Sequence, residues 1–190
     1  MSNILFIDVE TTGLDPFRHS LTEIAAEYHE NGKCVKKFHK KIKMSAQSQS
    51  FVDLAALKAT NTSLKATLTE GEPEDSVTME FVDFLLGLNQ KKIVVGGHNV
   101  HFDLYFLKVL LQRFRVDGIT GMLSAKVADT GTLSNALKTT GKIPDTVCNL
   151  ETLSTHLGIT TDAEDKFHTA PTDVKVTAKS YYKMLEILKA

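Results

Sequence analysis

Two runs of strand-forming residues, Ile24 to Tyr28 and Cys34 to Ile42, flank Glu30-Asn31-Gly32, and that arrangement leaves this stretch little choice but a β-hairpin. Asn-Gly readily takes the left-handed backbone that a two-residue turn between right-twisted strands requires. A third run, Ile4 to Glu10, has four apolar residues and then an apolar/acidic alternation, the period of a half-buried strand. The first three strands are therefore expected to be sequential and antiparallel.

Further along, the period lengthens. Pro73-Glu74-Asp75 starts a helix, with proline and acids in its first turn. Val77, Phe81, Phe84, Leu85 and Leu88 form its apolar stripe. Ile93 to Val95 reads as a short buried strand ending in Gly96-Gly97, and a second amphipathic helix follows with Leu107, Leu110, Leu111 and Phe114. Lys126 to Asp129 is another strand candidate. Asn149 caps a short helix from Leu150 to Leu157, stopped at Gly158. The last helix starts near Pro171 and carries Val174, Thr177, Ala178, Tyr181, Leu185 and Leu188 on one face. Residues 44 to 71 are polar, with one weak helical turn at Leu54 to Leu57. The expected architecture is α/β, a mixed sheet flanked by helices, in a single domain over residues 1–190.

Charge narrows the function. Twenty-two Lys and Arg against 23 Asp and Glu leave a net charge of -1, so no global field gathers a polyanion and any such substrate must be held locally. Cys34 and Cys148 are too few for a disulfide framework and fit a reducing compartment. The chain enters Ile4-Leu5-Phe6-Ile7 without a basic leader, and its apolar runs fall far short of the roughly 20 residues of a membrane span. With the last helix near the end of the sequence, no second domain, polymerase-tethering tail or membrane anchor is expected. A soluble cytoplasmic protein acting alone or as a simple homo-oligomer is expected.

Three acidic stretches stand out. Asp8 and Glu10 lie two apart, so on a strand both point to one face, where they repel each other. Taken alone they fit a solvated strand end as well as a pair of ligands around a cation. Asp103, after His98-Asn99-Val100-His101-Phe102, falls in the first turn of a helix, where an acid also serves as a cap. Asp173 falls in the first turn of the last helix, and His168 sits on the loop before it. Four carboxylates without clustered cysteines are hard oxygen ligands, suited to Mg²⁺ or Mn²⁺ rather than zinc. Two such ions, roughly 3.5–4 Å apart, clamp the attacking and leaving oxygens of a phosphodiester displacement. An imidazole beside them is a candidate base for the attacking water.

Phe6-Ile7-Asp8-Val9-Glu10-Thr11-Thr12-Gly13-Leu14, Gly97-His98-Asn99-Val100-His101-Phe102-Asp103 and His168-Thr169-Ala170-Pro171-Thr172-Asp173 together resemble the three motifs of the DEDDh exonucleases. That family includes polymerase proofreading subunits, ribonuclease T and oligoribonuclease. Leu21-Thr22-Glu23-Ile24-Ala25 and Ala128-Asp129-Thr130 resemble family segments on the second and last strands. The resemblance implies a ribonuclease-H-like fold with a mixed five-stranded sheet, removing nucleotides one at a time from 3′ ends. It implies that Asp8, Glu10, Asp103 and Asp173 hold two divalent cations, with His168 as general base. By the same resemblance, the backbone of Thr11 and Thr12 meets the terminal sugar, Leu14 wedges against the last base, Phe102 packs beneath the site, and His98 and Asn99 are further candidates for substrate contact. Pro171 stiffens the approach to Asp173.

Outside these motifs, Lys33, Lys36, Lys37, Lys40, Lys41 and Lys43 crowd one segment. They suit a lysine-blunted edge strand as well as a nucleic-acid track. Glu70, Glu72, Glu74 and Asp75 read as an acidic lead-in to a helix, and Tyr181 and Tyr182 as core and rim. The expected function is 3′–5′ hydrolysis of single-stranded DNA ends. An exoribonuclease is the alternative, because the scissile phosphate does not report the sugar. A catalytically silent nucleic-acid- or polymerase-binding module is a third reading, although all five site residues are present. A polymerase partner has no support in the sequence.

Overall fold

The structure, a computed structural model, describes residues 3–44, 51–59, 62–160 and 167–189. Asn31 and Gly32 adopt φ of 51° and 82°, the paired left-handed geometry expected of the hairpin turn. Around them run β1 (Ile4–Thr11), β2 (Leu21–Glu30) and β3 (Lys33–Lys43), all antiparallel. Then come α1 (Leu54–Ala59), α2 (Leu64–Thr69), β4 (Glu72–Pro73), α3 (Glu74–Leu86), β5 (Ile93–Gly97) and α4 (His101–Arg113). A 3₁₀ turn (Asp117–Met122), β6 (Leu123–Asp129), α5 (Thr130–Thr139), α6 (Leu150–His156) and α7 (Ala170–Lys189) complete the order.

The sheet is mixed and has six strands, in the order β4-β3-β2-β1-β5-β6, where five were expected. The sixth, β4, is two residues long and pairs Ile42 with Glu72 and Lys43 with Pro73. Two residues that include a proline carry no periodicity, so the sequence gives no sign of it. The stretch from 44 to 71 holds two six-residue helices rather than one turn, α2 being capped by Ser63, whose hydroxyl accepts from the Ala66 N–H at 3.0 Å. Positions 45–50 and 60–61 of that stretch lie outside the described residues. Helix α5 was also not foreseen; its start is set by Asp129, whose Oδ1 accepts from the Thr132 N–H at 2.6 Å.

Alternation along β1 divides the core. Leu5, Ile7 and Val9 pack with Ile24, Ala26 and Tyr28 of β2 against Val77, Phe81 and Leu85 of α3 and Leu104 and Leu107 of α4. Ile4 and Phe6 face the other way, into Ala25, Ala128 and the start of α7 at Ala170, Val174 and Ala178. The same two-residue period carries Asp8 and Glu10 onto the α7 face. A third cluster joins Leu137, Ile143, Val147, Leu153 and Leu157 to Met184. Because α5 and α6 meet α7 from a different side than the sheet does, its buried stripe turns to Met184, and Leu188 stays 48% exposed.

Gly96 is required where β5 passes Phe6. A Cβ there would lie 2.5 Å from the Phe6 ring, which is fully buried among His29, Tyr181 and Tyr182. Gly96→Ala is expected to destabilise the protein by about 1–3 kcal/mol through overpacking, read as a lower urea midpoint at unchanged m-value.

Candidate active site

The parallel pairing of β1 with β5 runs only from Ile4↔Val94 to Phe6↔Gly96. Beyond it the two strands part, and the free edge of β1 faces the first turn of α4. Asp103 fills that gap. It is 4% exposed, and its Oδ1 accepts from the Val9 N–H at 2.9 Å. Residue Val100 at the cap of α4 makes no side-chain capping bond, so Asp103 braces the neighbouring strand instead of serving as a plain helix cap. The loop that delivers it is pinned by Asp129, whose Oδ2 accepts from the Val100 N–H at 2.8 Å.

On the other side, α7 brings Asp173 to the acids of β1. Donor oxygens of Asp8, Glu10 and Asp173 all lie within 4.8 Å of one another, a spacing that could hold a metal ion. Burial, reinforced by the charges of Asp103, Asp173, Glu10 and Glu23, raises the Asp8 carboxyl well above its ordinary range. Glu10 is pushed up to about 8 by burial and then by Asp173, Glu23 and Asp103. Asp103 is also pushed up to about 8 by burial, against the pull of the Val9 N–H, and Asp173 to about 6 by burial, against the pull of His168. Acids crowded this way are short of positive charge. Asp173 Oδ1 is moreover buried without a hydrogen-bond partner, so the residues fit a hard dication.

His168 is exposed on the loop before α7, at a φ of 64°, which few residues other than glycine adopt. With Asp8, His98 and Asp173 it lines a cavity of about 220 Å³. Asn149, Leu150, Glu151 and Phe167 complete the lining, and none of these was among the residues anticipated.

Glu23 is a further buried acid of the site. It stands directly across the sheet from Glu10. Its Oε2 accepts from the Ala170 N–H at 3.1 Å and its Oε1 pairs with His39 Nε2 at 2.7 Å. Its signal was present in the alternation of Glu23, Glu27 and His29 with apolar residues on one face of β2.

Of the anticipated substrate contacts, His98 lies in the cavity, with its Nδ1 bonded to Thr130 Oγ1 at 2.9 Å. Asn99 turns instead toward α5, its Oδ1 lying where a Cβ on Gly131 would clash at 2.5 Å. Thr11 donates its hydroxyl to the Gly13 carbonyl at 2.7 Å. Thr12 is fully buried, its N–H bonded to the Ser20 carbonyl at 2.9 Å and its carbonyl accepting from the Asp53 N–H at 2.8 Å. Thr12 thus braces the loop and has no N–H left for a sugar. Leu14 projects into solvent at 78% exposure, and Phe102 is 37% exposed with its ring 4.9 Å from that of Phe106.

Three of the six lysines of β3 are paired with acids. Lys37 meets Glu27 at 2.6 Å, Lys40 meets Glu72 at 2.7 Å and Glu80 at 2.8 Å, and Lys41 meets Glu70 at 3.3 Å. These three are neutralised where they stand, and Lys36 donates to the Gly87 carbonyl. Glu27, His29 and Cys34 also lie close together, but Lys37 and His29 already take the two Glu27 oxygens. Among the described residues no helix is long and apolar enough to cross a membrane.

The ribonuclease T family model, described as exonuclease, matches residues 5–181. DNA polymerase III PolC-type of Thermotoga petrophila is 26% identical over 99% of this chain, which spans 12% of that protein. The 3′–5′ exonuclease DinG of Bacillus subtilis is 29% identical over 96% of this chain, which spans 18% of it. A structure of exonuclease I superposes with a TM-score of 0.78 at 19% identity, over 98% of this chain and 41% of that one. E. coli exonuclease I in complex with a dT13 oligonucleotide gives 0.75 at 18% identity, over 98% and 41% of the two chains. The structural likeness shows the ribonuclease-H-like fold, and the sequence match places the chain by descent: it belongs to the exonuclease family, of the DEDDh type.

Proposed function

We propose that the chain is a metal-dependent 3′–5′ exonuclease that releases nucleoside monophosphates from the ends of single-stranded DNA. The observation that carries this reading is the convergence of Asp8, Glu10 and Asp173 around the unpartnered Asp173 Oδ1, beside an exposed imidazole in an open cavity. DNA is favoured over RNA because the relatives include a DNA polymerase by name, and the exonuclease I structure holds a deoxyoligonucleotide.

Asp8, Glu10, Asp103 and Asp173 would hold two divalent cations, Mg²⁺ or Mn²⁺. Such ions acidify bound water and neutralise charge on a phosphodiester as it is cleaved. His168 takes the proton from the attacking water as the water oxygen bonds to phosphorus. The bond to the 3′ oxygen of the preceding nucleotide breaks, and that oxygen leaves as a hydroxyl after gaining a proton. Asp103, held by the Val9 N–H, fixes the strand edge on which Asp8 and Glu10 stand. Glu23, through the Ala170 N–H, fixes the start of the helix that presents Asp173. The exposed, unpaired Cys34 and Cys148 suit the reducing cytoplasm.

Time courses on matched single-stranded DNA, duplex DNA and RNA, with products resolved by size, test the proposal. Mononucleotides appearing from the first time point, with Mg²⁺ required, are expected from single-stranded DNA. Internal cleavage would overturn the proposal, and a strong preference for RNA would transfer it to an exoribonuclease. His168→Ala is expected to lower kcat by about 10²–10⁴ with little change in KM, measured on the same oligonucleotide.

A further inference from the structure

The β2–β3 hairpin is irregular near its turn. Tyr28 pairs with Lys36 but His29 pairs with Cys34, so Val35 is an extra residue on β3. A bulge of this kind re-aims the side chains beside it. In an unbroken register His29 would face Val35. With the bulge, Cys34 stands opposite His29 and shares a sheet face with it and with Glu27, two positions before.

The three side chains offer a sulfur, a nitrogen and an oxygen, one donor atom of each lying within 4.8 Å of the others. His29 Nε2 already stands 3.1 Å from Glu27 Oε2. Zinc-type ions bind such atoms at about 2.0–2.3 Å in a tetrahedron, which sets the donors roughly 3.3–3.6 Å apart. Closure around an ion therefore falls mainly on the exposed thiol of Cys34.

The other two donors are held in advance. Glu27 and His29 are only 8% and 7% exposed. The imidazole meets the Phe6 ring edge to face at 5.1 Å and stacks on Tyr182 at 5.7 Å. Its Nδ1 is buried without a hydrogen-bond partner, so among the described residues only Glu27 bears on which ring nitrogen carries the proton. Lys37 meets the other Glu27 oxygen, Oε1, at 2.6 Å. An ion on Oε2 replaces the contact with His29 and leaves Lys37 as an outer partner of the ligating carboxylate.

We propose that Glu27, His29 and Cys34 form a metal centre separate from the acids of β1 and α7, taking a zinc-class dication through Oε2, Nε2 and Sγ with water in the remaining position. A thiolate, an imidazole and one carboxylate are a softer set than the all-oxygen group of Asp8, Glu10 and Asp173, so the two places select different ions. On binding, the thiol gives its proton to solvent, and the ring ligates through a bare Nε2 with its proton on Nδ1. The ion would bridge β2 and β3 across the bulge, on the face that α7 covers.

Co²⁺ titrated into the protein in excess Mg²⁺ tests this, because a cobalt–thiolate bond has a charge-transfer absorption that oxygen ligands do not produce. The wild type is expected to develop that band, to saturate at about one ion per chain, and to lose the band when Zn²⁺ is added. Cys34→Ser, at an exposed position, should abolish the band. It should also weaken Zn²⁺ binding, measured against a chromophoric chelator, by more than about 100-fold, beyond the 10–100-fold that loss of an outer partner costs. Cys148→Ser should change neither. Zn²⁺ should raise the Tm of the wild type and not that of Cys34→Ser.

A wild type without the band at saturating Co²⁺ would overturn the centre, as would a band that Cys34→Ser retains. A band that appears only together with a dimer in sedimentation would overturn it too, since the ion would then join thiols of two chains. None of these measurements depends on nuclease activity, so the centre is tested apart from the exonuclease reading.

Discussion

Asp8→Ala is expected to lower kcat by at least about 10³ on single-stranded DNA, while the metal-free protein becomes more stable. Both effects have one origin. Burial first, and then the charges of Asp103, Asp173, Glu10 and Glu23, make an ionised Asp8 unfavourable in the absence of cations, and alanine removes that cost. The same crowding is what draws a dication, and losing one ligand gives up several kcal/mol of transition-state stabilisation, at about 1.4 kcal/mol per decade of rate. Steady-state kinetics with Mg²⁺ and thermal melts in EDTA measure the two halves. An Asp8→Ala protein that digests at the wild-type rate would remove Asp8 from the chemistry.

The second large effect is on how stability depends on pH. Glu10 and Asp103 are raised to about 8, and Asp173 to about 6. Each value lies above that of the unfolded chain, so the folded protein holds protons which the unfolded chain has already released. The stability these acids contribute is complete below about pH 4 and is lost as pH rises through about 6 to 8. Metal-free protein is therefore expected to melt at progressively lower temperature between about pH 4 and about pH 8, and to level off above that. A shift as large as that of Glu10 represents several kcal/mol, at about 1.4 kcal/mol per pH unit, shared among the coupled acids. Mg²⁺ replaces the lost protons, so its stabilisation should be greatest at the alkaline end, with protons released on binding. Melts in EDTA and in Mg²⁺ across that range measure it. A flat EDTA profile would mean that the acids do not share one buried field.

Much of this was visible in the sequence wherever a feature was local or periodic. Asn31-Gly32 set the hairpin, and the alternation of Ile4 to Glu10 placed Asp8 and Glu10 on one face because strand geometry has a period of two. The stripe of Val77, Phe81 and Leu85 became the buried side of α3 for the corresponding helical reason. Less was visible where tertiary contact decides. Asp103 has the sequence context of a helix cap, and only the parting of β1 from β5 exposes the Val9 N–H that it binds. The six lysines are symmetrical between two readings until Glu27, Glu70, Glu72 and Glu80 arrive opposite three of them. Asn149 and Glu151 join the cavity from the start of α6, and Phe167 from beside His168, as walls and not as a motif. Thr12, by contrast, carries a motif position whose backbone the fold uses for itself.

The bond from Ala170 to Glu23 spans 147 positions in the chain and seats the helix that carries the last acid. A chain made only as far as α4 carries three of these acids, Asp8, Glu10 and Asp103. Until the final segment has been made and has docked, it lacks both Asp173 and the imidazole. The constellation that the proposed exonuclease needs is therefore closed by a contact between β2 and α7, and no single stretch of the sequence contains it.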